Sequence, residues 1–139
     1  MTVGELAQSD PIAATRQASI GHVAALMRDE NVGSIVIVED EEPVGIITDR
    51  DVAVKVAAEG KEPDDITAGE IMTHDPVTVE RETGVMELTR VMAEHSVRRI
   101  PVVDDGQLDG IITHSDVDKL LSDERQHLTE VIEAESPAY

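Results

Sequence analysis

The 139-residue chain carries 30 Asp and Glu against 11 Lys and Arg, a formal charge of −19, with no cysteine and Tyr139 as its one aromatic residue. That balance excludes disulfides and thiolate metal sites. It also opposes binding to phosphate backbones or anionic lipid, whose affinity needs a cationic surface. No apolar run is long enough for a bilayer and Met1–Pro11 lacks a basic-then-apolar signal pattern, so a cytoplasmic protein bound to neither nucleic acid nor membrane is expected.

Along the chain, Thr2-x-x-Glu5 has capping-box spacing and predicts a short helix. Asp10-Pro11 ends it, because the residue before proline is driven out of helical geometry. After a brief extended stretch, Ile20, Val23, Ala24 and Met27 share one face of an amphipathic helix. Two β-branched strands follow, Ser34–Glu39 and Val44–Thr48, joined across Asp40-Glu41-Glu42-Pro43 as a hairpin. A helix from about Asp49 to Ala58 closes the unit, and residues 59–66 have the Gly, Pro and charge of a linker. The order then returns. Thr67-x-x-Glu70 and Asp75-Pro76 bound a short helix, Val77 and Val79 alternate, and Val85, Leu88 and Met92 line a helix face. Strands Ile100–Asp104 and Asp109–Thr113 flank Asp105-Gly106-Gln107, and a helix runs from about Ser115 to Leu121. Residues 122–139 form a polar tail that continues as a helix with Leu128, Val131 and Ile132 on its apolar side, before residues 136–139 fray. Runs such as Ser34-Ile-Val-Ile-Val38 mark a folded chain rather than an acidic disordered one. Its surface suits a salt-rich, halophilic cytoplasm in which screening quiets carboxylate repulsion, although an ordinary acidic protein would also carry it.

Shifted by 65 residues, positions 2–52 align with 67–117 without a gap and 17 of 51 are identical. The chain is therefore an internal duplication. The fold class is α/β (α+β): two β-α-β-β-α repeats with pseudo-two-fold symmetry, repeat 1 in residues 1–64, repeat 2 in 65–121, and the tail in 122–139. A unit of about 65 residues buries too little surface to be comfortable alone, so the two should pack together.

Thr48-x-x-Asp51 and Thr113-x-x-Asp116 stand where a strand turns into a helix. There a hydroxyl and free backbone N–H groups make an anion site, and a carboxylate three residues on can accept ribose hydroxyls. The same spacing is also plain helix capping. Arg98 and Arg99 stand before the second strand pair, and arginine grips phosphate in two-pronged fashion. An ion pair with the acidic surface is the alternative. Arg50 either serves the first Thr-x-x-Asp site or is solvated.

The two strings Gly45-Ile-Ile-Thr-Asp-Arg-Asp51-Val and Gly110-Ile-Ile-Thr-His-Ser-Asp116-Val, with Arg99-Ile-Pro-Val-Val-Asp104, resemble the CBS-domain family over roughly residues 1–121. The resemblance implies a tandem pair, or Bateman module, that binds adenine nucleotides (AMP, ADP, ATP) or an adenosyl relative in clefts between the repeats. One cleft would use Thr113, Asp116, Ile111, Arg98 and Arg99, with Gln8, Ala13, Val32 and Gly33 around the adenine. The other would use Thr48, Asp51, Ile46, Thr73, Thr78 and Val97, with Gly33 and Ser34 where the first has its arginines. It further implies a homodimer, assembled through helices, and a regulated protein partner whose identity stays open. The Ile20, Val23 and Met27 face could serve such a dimer or the core. No cofactor is required, and Mg²⁺ would enter with a bound nucleotide. A ligand-indifferent docking module is the alternative function. His74, His95 and His114 lack zinc spacing, and with no nucleophile elbow, phosphate-binding loop or HExxH string the chain is not expected to be an enzyme.

Overall fold

The computed structural model describes residues 1–135; the expected fraying of 136–139 lies outside them. Both capping boxes are present. Glu5 Oε2 accepts the Thr2 N–H at 2.9 Å and Glu70 Oε2 that of Thr67 at 2.7 Å, opening helices α1 (Val3–Leu6) and α4 (Ala68–Ile71). These helices stop short of the Asp-Pro pairs that were expected to end them. Ala7 and Met72 turn to extended geometry, so that two-residue strands β1 (Gln8–Ser9) and β5 (Thr73–His74) follow at once. Asp10 and Asp75 then reverse the chain at φ 56° and 47°, a left-handed conformation that aspartate tolerates better than most residues.

The remaining elements are β2 (Ala13–Ala14), α2 (Ile20–Glu30), β3 (Ser34–Glu39), β4 (Glu42–Thr48), α3 (Asp49–Asp51), β6 (Val79–Glu80), α5 (Val85–His95), β7 (Arg99–Asp104), β8 (Gln107–Thr113) and α6 (His114–Glu135). They form a mixed α+β fold with two four-stranded sheets, ordered β2-β3-β4-β5 and β6-β7-β8-β1. The outer short strands are exchanged. β1 of the first repeat pairs with β8 of the second (Gln8 with Ile111), and β5 of the second pairs with β4 of the first (Thr73 with Ile46). The helices preceding them cross as well. Val3 of α1 lies fully buried among Leu88, Ile100, Val102 and Ile112, whereas Ala68, Ile71 and Met72 complete the core of Ile20, Val23, Ile35, Ile37 and Ile47. Each core thus holds side chains from both repeats, which removes the marginality of a lone unit.

The α2 face of Ile20, Val23 and Met27 is spent on this core and offers nothing to a dimer. One helix differs from expectation. The segment after β4 is α-helical only over α3 and then winds as a wide π turn, Val52–Ala57, closed by Ala58 N–H to Ala53 C=O at 2.9 Å. Val52, Val54 and Val56 fall within five residues, and β-branched side chains crowd the preceding turn of an α-helix. In the second repeat the closing helix and the tail are one element, α6 of 22 residues, as the helical reading of the tail expected, with Leu121, Leu128 and Val131 exposed. On the flank of α5, Arg90 bonds both Glu87 and Glu94, and its guanidinium holds the Glu87 carboxyl below the usual carboxylate range. Such exposed pairs contribute little to stability. No helix among the described residues is long and apolar enough to cross a membrane.

Both hairpins are two-residue turns, tighter than expected. Asp105 and Gly106 take φ 53° and 82°, and Asp40 and Glu41 take 51° and 67°. Mirror-image turns of this kind match strand twist and favour Asp-Gly. Glu41 occupies the glycine position with a side chain. Glu41→Gly is therefore expected to raise stability by about 0.5–1 kcal/mol, the relief of left-handed strain exceeding the added freedom of the unfolded chain; a urea midpoint that stays or falls would contradict it.

Candidate ligand-binding cleft

Arg99 opens β7 and pairs across the ladder with Thr113, the last residue of β8. There the chain turns into α6, with the His114 N–H donating to the Arg98 carbonyl at 2.8 Å. Thr113 and Asp116 cap each other. The Thr113 N–H donates to Asp116 Oδ2 at 2.9 Å, and the Asp116 N–H to Thr113 Oγ1 at 3.2 Å. The threonine hydroxyl hydrogen is left to donate elsewhere. Asp116 Oδ1 faces the other way and accepts Gln8 Nε2 at 3.2 Å, which the exchanged strand β1 brings to it. Capping and ligand reading are thus compatible, one oxygen of the carboxylate doing each job.

In front of these groups lies a cleft of about 310 Å³, at the small end of the range for small-molecule sites. One wall is Arg99, Ile111 and Thr113 of the second sheet; the other is Pro11, Ile12, Val32, Gly33 and Ser34, at the entries to β2 and β3 of the first. Gln8, Ser9 and Asp10 form its rim with Glu30 and Asn31. It continues past Arg99 and Thr113 into a hollow of about 390 Å³ walled by Arg98, His114 and Ser115. Ala13 is exposed one residue beyond Ile12 and pairs with Val36. A Cβ on Gly33 would stand 3.1 Å from Arg99 Nη2, so the missing side chain is what lets the guanidinium lie against the facing repeat. Among the described residues neither Arg98 nor Arg99 forms a salt bridge, whereas Arg16, Arg28, Arg81 and Arg90 all do. The ion-pair alternative for these two arginines is not what the structure contains.

The other set is related by the repeat but differs in chemistry. Thr48 and Asp51 cap each other likewise, at 2.8 and 3.3 Å, but here the Thr48 hydroxyl also donates to Asp51 Oδ2 at 3.2 Å. Ser34 pairs with Thr48 and Thr73 with Ile46, as Arg99 and Gln8 do with Thr113 and Ile111. Asp51 Oδ1, however, meets Lys55 Nζ at 3.3 Å, and Lys55 also donates to the Ile71 carbonyl at 2.9 Å. Arg50 is exposed, and its N–H is taken by its neighbour Asp49 Oδ1 at 2.9 Å. Thr78 is exposed ahead of β6, and Val97 borders an outer groove with Met92, Val117 and Leu121 instead. No group of three or more His, Asp or Glu able to hold a metal ion occurs among the described residues.

The sequence profile of the CBS domain matches residues 3–58 and again 68–123. The chain belongs to the CBS-domain family. An uncharacterised protein of Methanopyrus kandleri is 42% identical over 119 residues, covering 84% of this chain and 61% of its own length. The chain thus spans about three fifths of that relative. Among solved structures, the CBS pair of protein MJ0100 in complex with 5′-methylthioadenosine and S-adenosyl-L-methionine superposes with TM-score 0.79 at 29% identity, over 89% of this chain and 98% of that one. A CBS domain protein from Pyrobaculum aerophilum complexed with AMP gives TM-score 0.76 at 26% identity, over 84% and 89%. CBS pairs are binding and regulatory modules, not enzymes.

Several residues at the two sites were not assigned to them from sequence. Ser9, Pro11 and Ile12 were missed as cleft residues because they lie in the irregular stretch around β1, where no periodicity operates. His114, Asp49 and Lys55 were visible as mismatches between the aligned repeats (against Asp49, His114 and Leu120), and those mismatches were the available signal.

Proposed function

We propose that this CBS pair senses an adenine nucleotide or a related adenosyl ligand in the cleft of Arg99, Ile111 and Thr113, and transmits its presence to a regulated protein. The observation that carries the reading is the pair Arg98 and Arg99, without ion pairs beside the Thr113 hydroxyl in a chain of charge −19. Arg98, Arg99, Thr113 and the start of α6 suit a phosphate, Asp116 Oδ1 a ribose hydroxyl, and Val32, Ile12 and Ile111 an adenine face. Mg²⁺ would arrive with the nucleotide's phosphates. Because Val32–Ser34 lead into β3 of one sheet and Arg99 and Thr113 belong to the other, a ligand that touches both favours one angle between the repeats, which is the differential affinity a switch requires.

Titration calorimetry with AMP, ATP and S-adenosylmethionine, in multimolar KCl and in dilute buffer, tests this. Asp116→Ala and Asp51→Ala should each cost about 1 kcal/mol of stability through the lost cap, but only Asp116→Ala should abolish AMP binding. Silence across the panel from folded protein would sink the reading. A docking module is then favoured by the exposed Leu121, Leu128 and Val131 row on α6, which fits a homodimer held through that helix.

A further inference from the structure

The 65-residue repeat maps the phosphate hollow of the first cleft, Arg98, Arg99, Thr113, His114 and Ser115, onto Gly33, Ser34, Thr48, Asp49 and Arg50 in the second. Two cations are lost and one, Arg50, is gained in this exchange, and a carboxylate stands where His114 stood. That carboxylate is directed at the site. Asp49 Oδ1 accepts the N–H of Arg50 at 2.9 Å, and Arg50 is the counterpart of Ser115, which borders the first hollow. Oδ2 lies 3.4 Å from a Cβ placed on Gly33. At the ribose end, Lys55 takes the spare oxygen of Asp51, where Gln8 holds that of Asp116.

We infer that Asp49 is a specificity-determining residue: its carboxylate occupies the place of a 5′-phosphate in the second cleft, and the chain therefore takes up one phosphorylated adenine ligand, in the first cleft alone. This rests on the function proposed above and deepens it, since it sorts ligands by the charge of the 5′ group. A dianionic phosphate brought to the second cleft would meet a like charge. Lys55 there is already paired with Asp51, and Arg99, which also approaches Gly33, lines the first cleft, so that Arg50 is the cation left to offset it. An adenosine with an uncharged 5′ group meets no such opposition.

The test is calorimetric stoichiometry with AMP on the full chain and on Asp49→Asn, which keeps an oxygen to accept the Arg50 N–H and removes only charge. The wild type is expected to bind one equivalent. Asp49→Asn should gain a second, with at least about tenfold tighter association at that cleft than the wild type allows, and Asp49→Glu should remain at one. Two equivalents of AMP on the wild type would overturn the inference while leaving the nucleotide reading intact. An Asp49→Asn chain that stays at one equivalent would overturn it too, since charge would then not be the barrier. No AMP uptake by the wild type would bring down the underlying reading, and the inference with it.

Discussion

Replacing Arg98 and Arg99 together by alanine is expected to weaken AMP binding several hundredfold while changing adenosine binding by less than about threefold. The two guanidiniums lack salt bridges among the described residues; Arg99 stands on the wall shared by cleft and hollow, and Arg98 borders the hollow. A hydrogen bond to a charged group contributes about 1.5–3 kcal/mol, so the loss of both arginines from a phosphate is about 3–4 kcal/mol, or more than two decades in affinity. Adenosine has no phosphate to lose. Salt sharpens the test. In 1 M salt the screening length is about 3 Å, so long-range attraction between the pair and an approaching nucleotide is lost while contact hydrogen bonds survive. The variant's deficit for AMP should therefore shrink only partly between dilute buffer and multimolar KCl. An equal loss for AMP and adenosine would mean that the arginines hold the wall in shape and do not recognise phosphate.

The duplication and its element order were legible because every core strand carries its own β-branched pattern, and because Thr48-x-x-Asp51 and Thr113-x-x-Asp116 repeat at a fixed offset. The exchange of β1 and β5 was not legible. A two-residue strand has no period to read, and a sequence repeat is blind to which of two equivalent sheet edges its first segment joins. That choice is made by tertiary fit: Val3 and Ile71 fill the opposite cores. The same blindness hid the cleft residues Ser9 to Ile12, which lie in or just after a strand on the other sheet. The wide turn at Val52–Ala57 was hidden for a different reason, since helical periodicity does not separate an α turn from a π turn over six residues.

The exchange also fixes where the chain is most fragile. Gly110→Ala is expected to cost about 3 kcal/mol or more, and Gly45→Ala, its counterpart in the other repeat, about 1–2 kcal/mol. A Cβ on Gly110 would stand 2.7 Å from the backbone carbonyl oxygen of Gln8, on the exchanged strand. Backbone cannot rotate aside, so β1 must move away from β8, and only Gln8 and Ser9 hold that pairing. Moving β1 disturbs α1 just before it and strips Val3 from a core where it is fully buried. On Gly45 the Cβ meets the Met72 side chain, nearest at Sδ and 2.8 Å from Cγ. A methionine has rotamers with which to yield, at the cost of local repacking. Urea unfolding of the two variants should show the larger midpoint loss for Gly110→Ala. The same variant should bind AMP less tightly even where folded, because displacing Gln8 removes the partner that orients Asp116 Oδ1. Equal losses in the two variants, with AMP affinity retained in Gly110→Ala, would mean that β1 is a loose strap and that the cleft is organised by the second repeat alone.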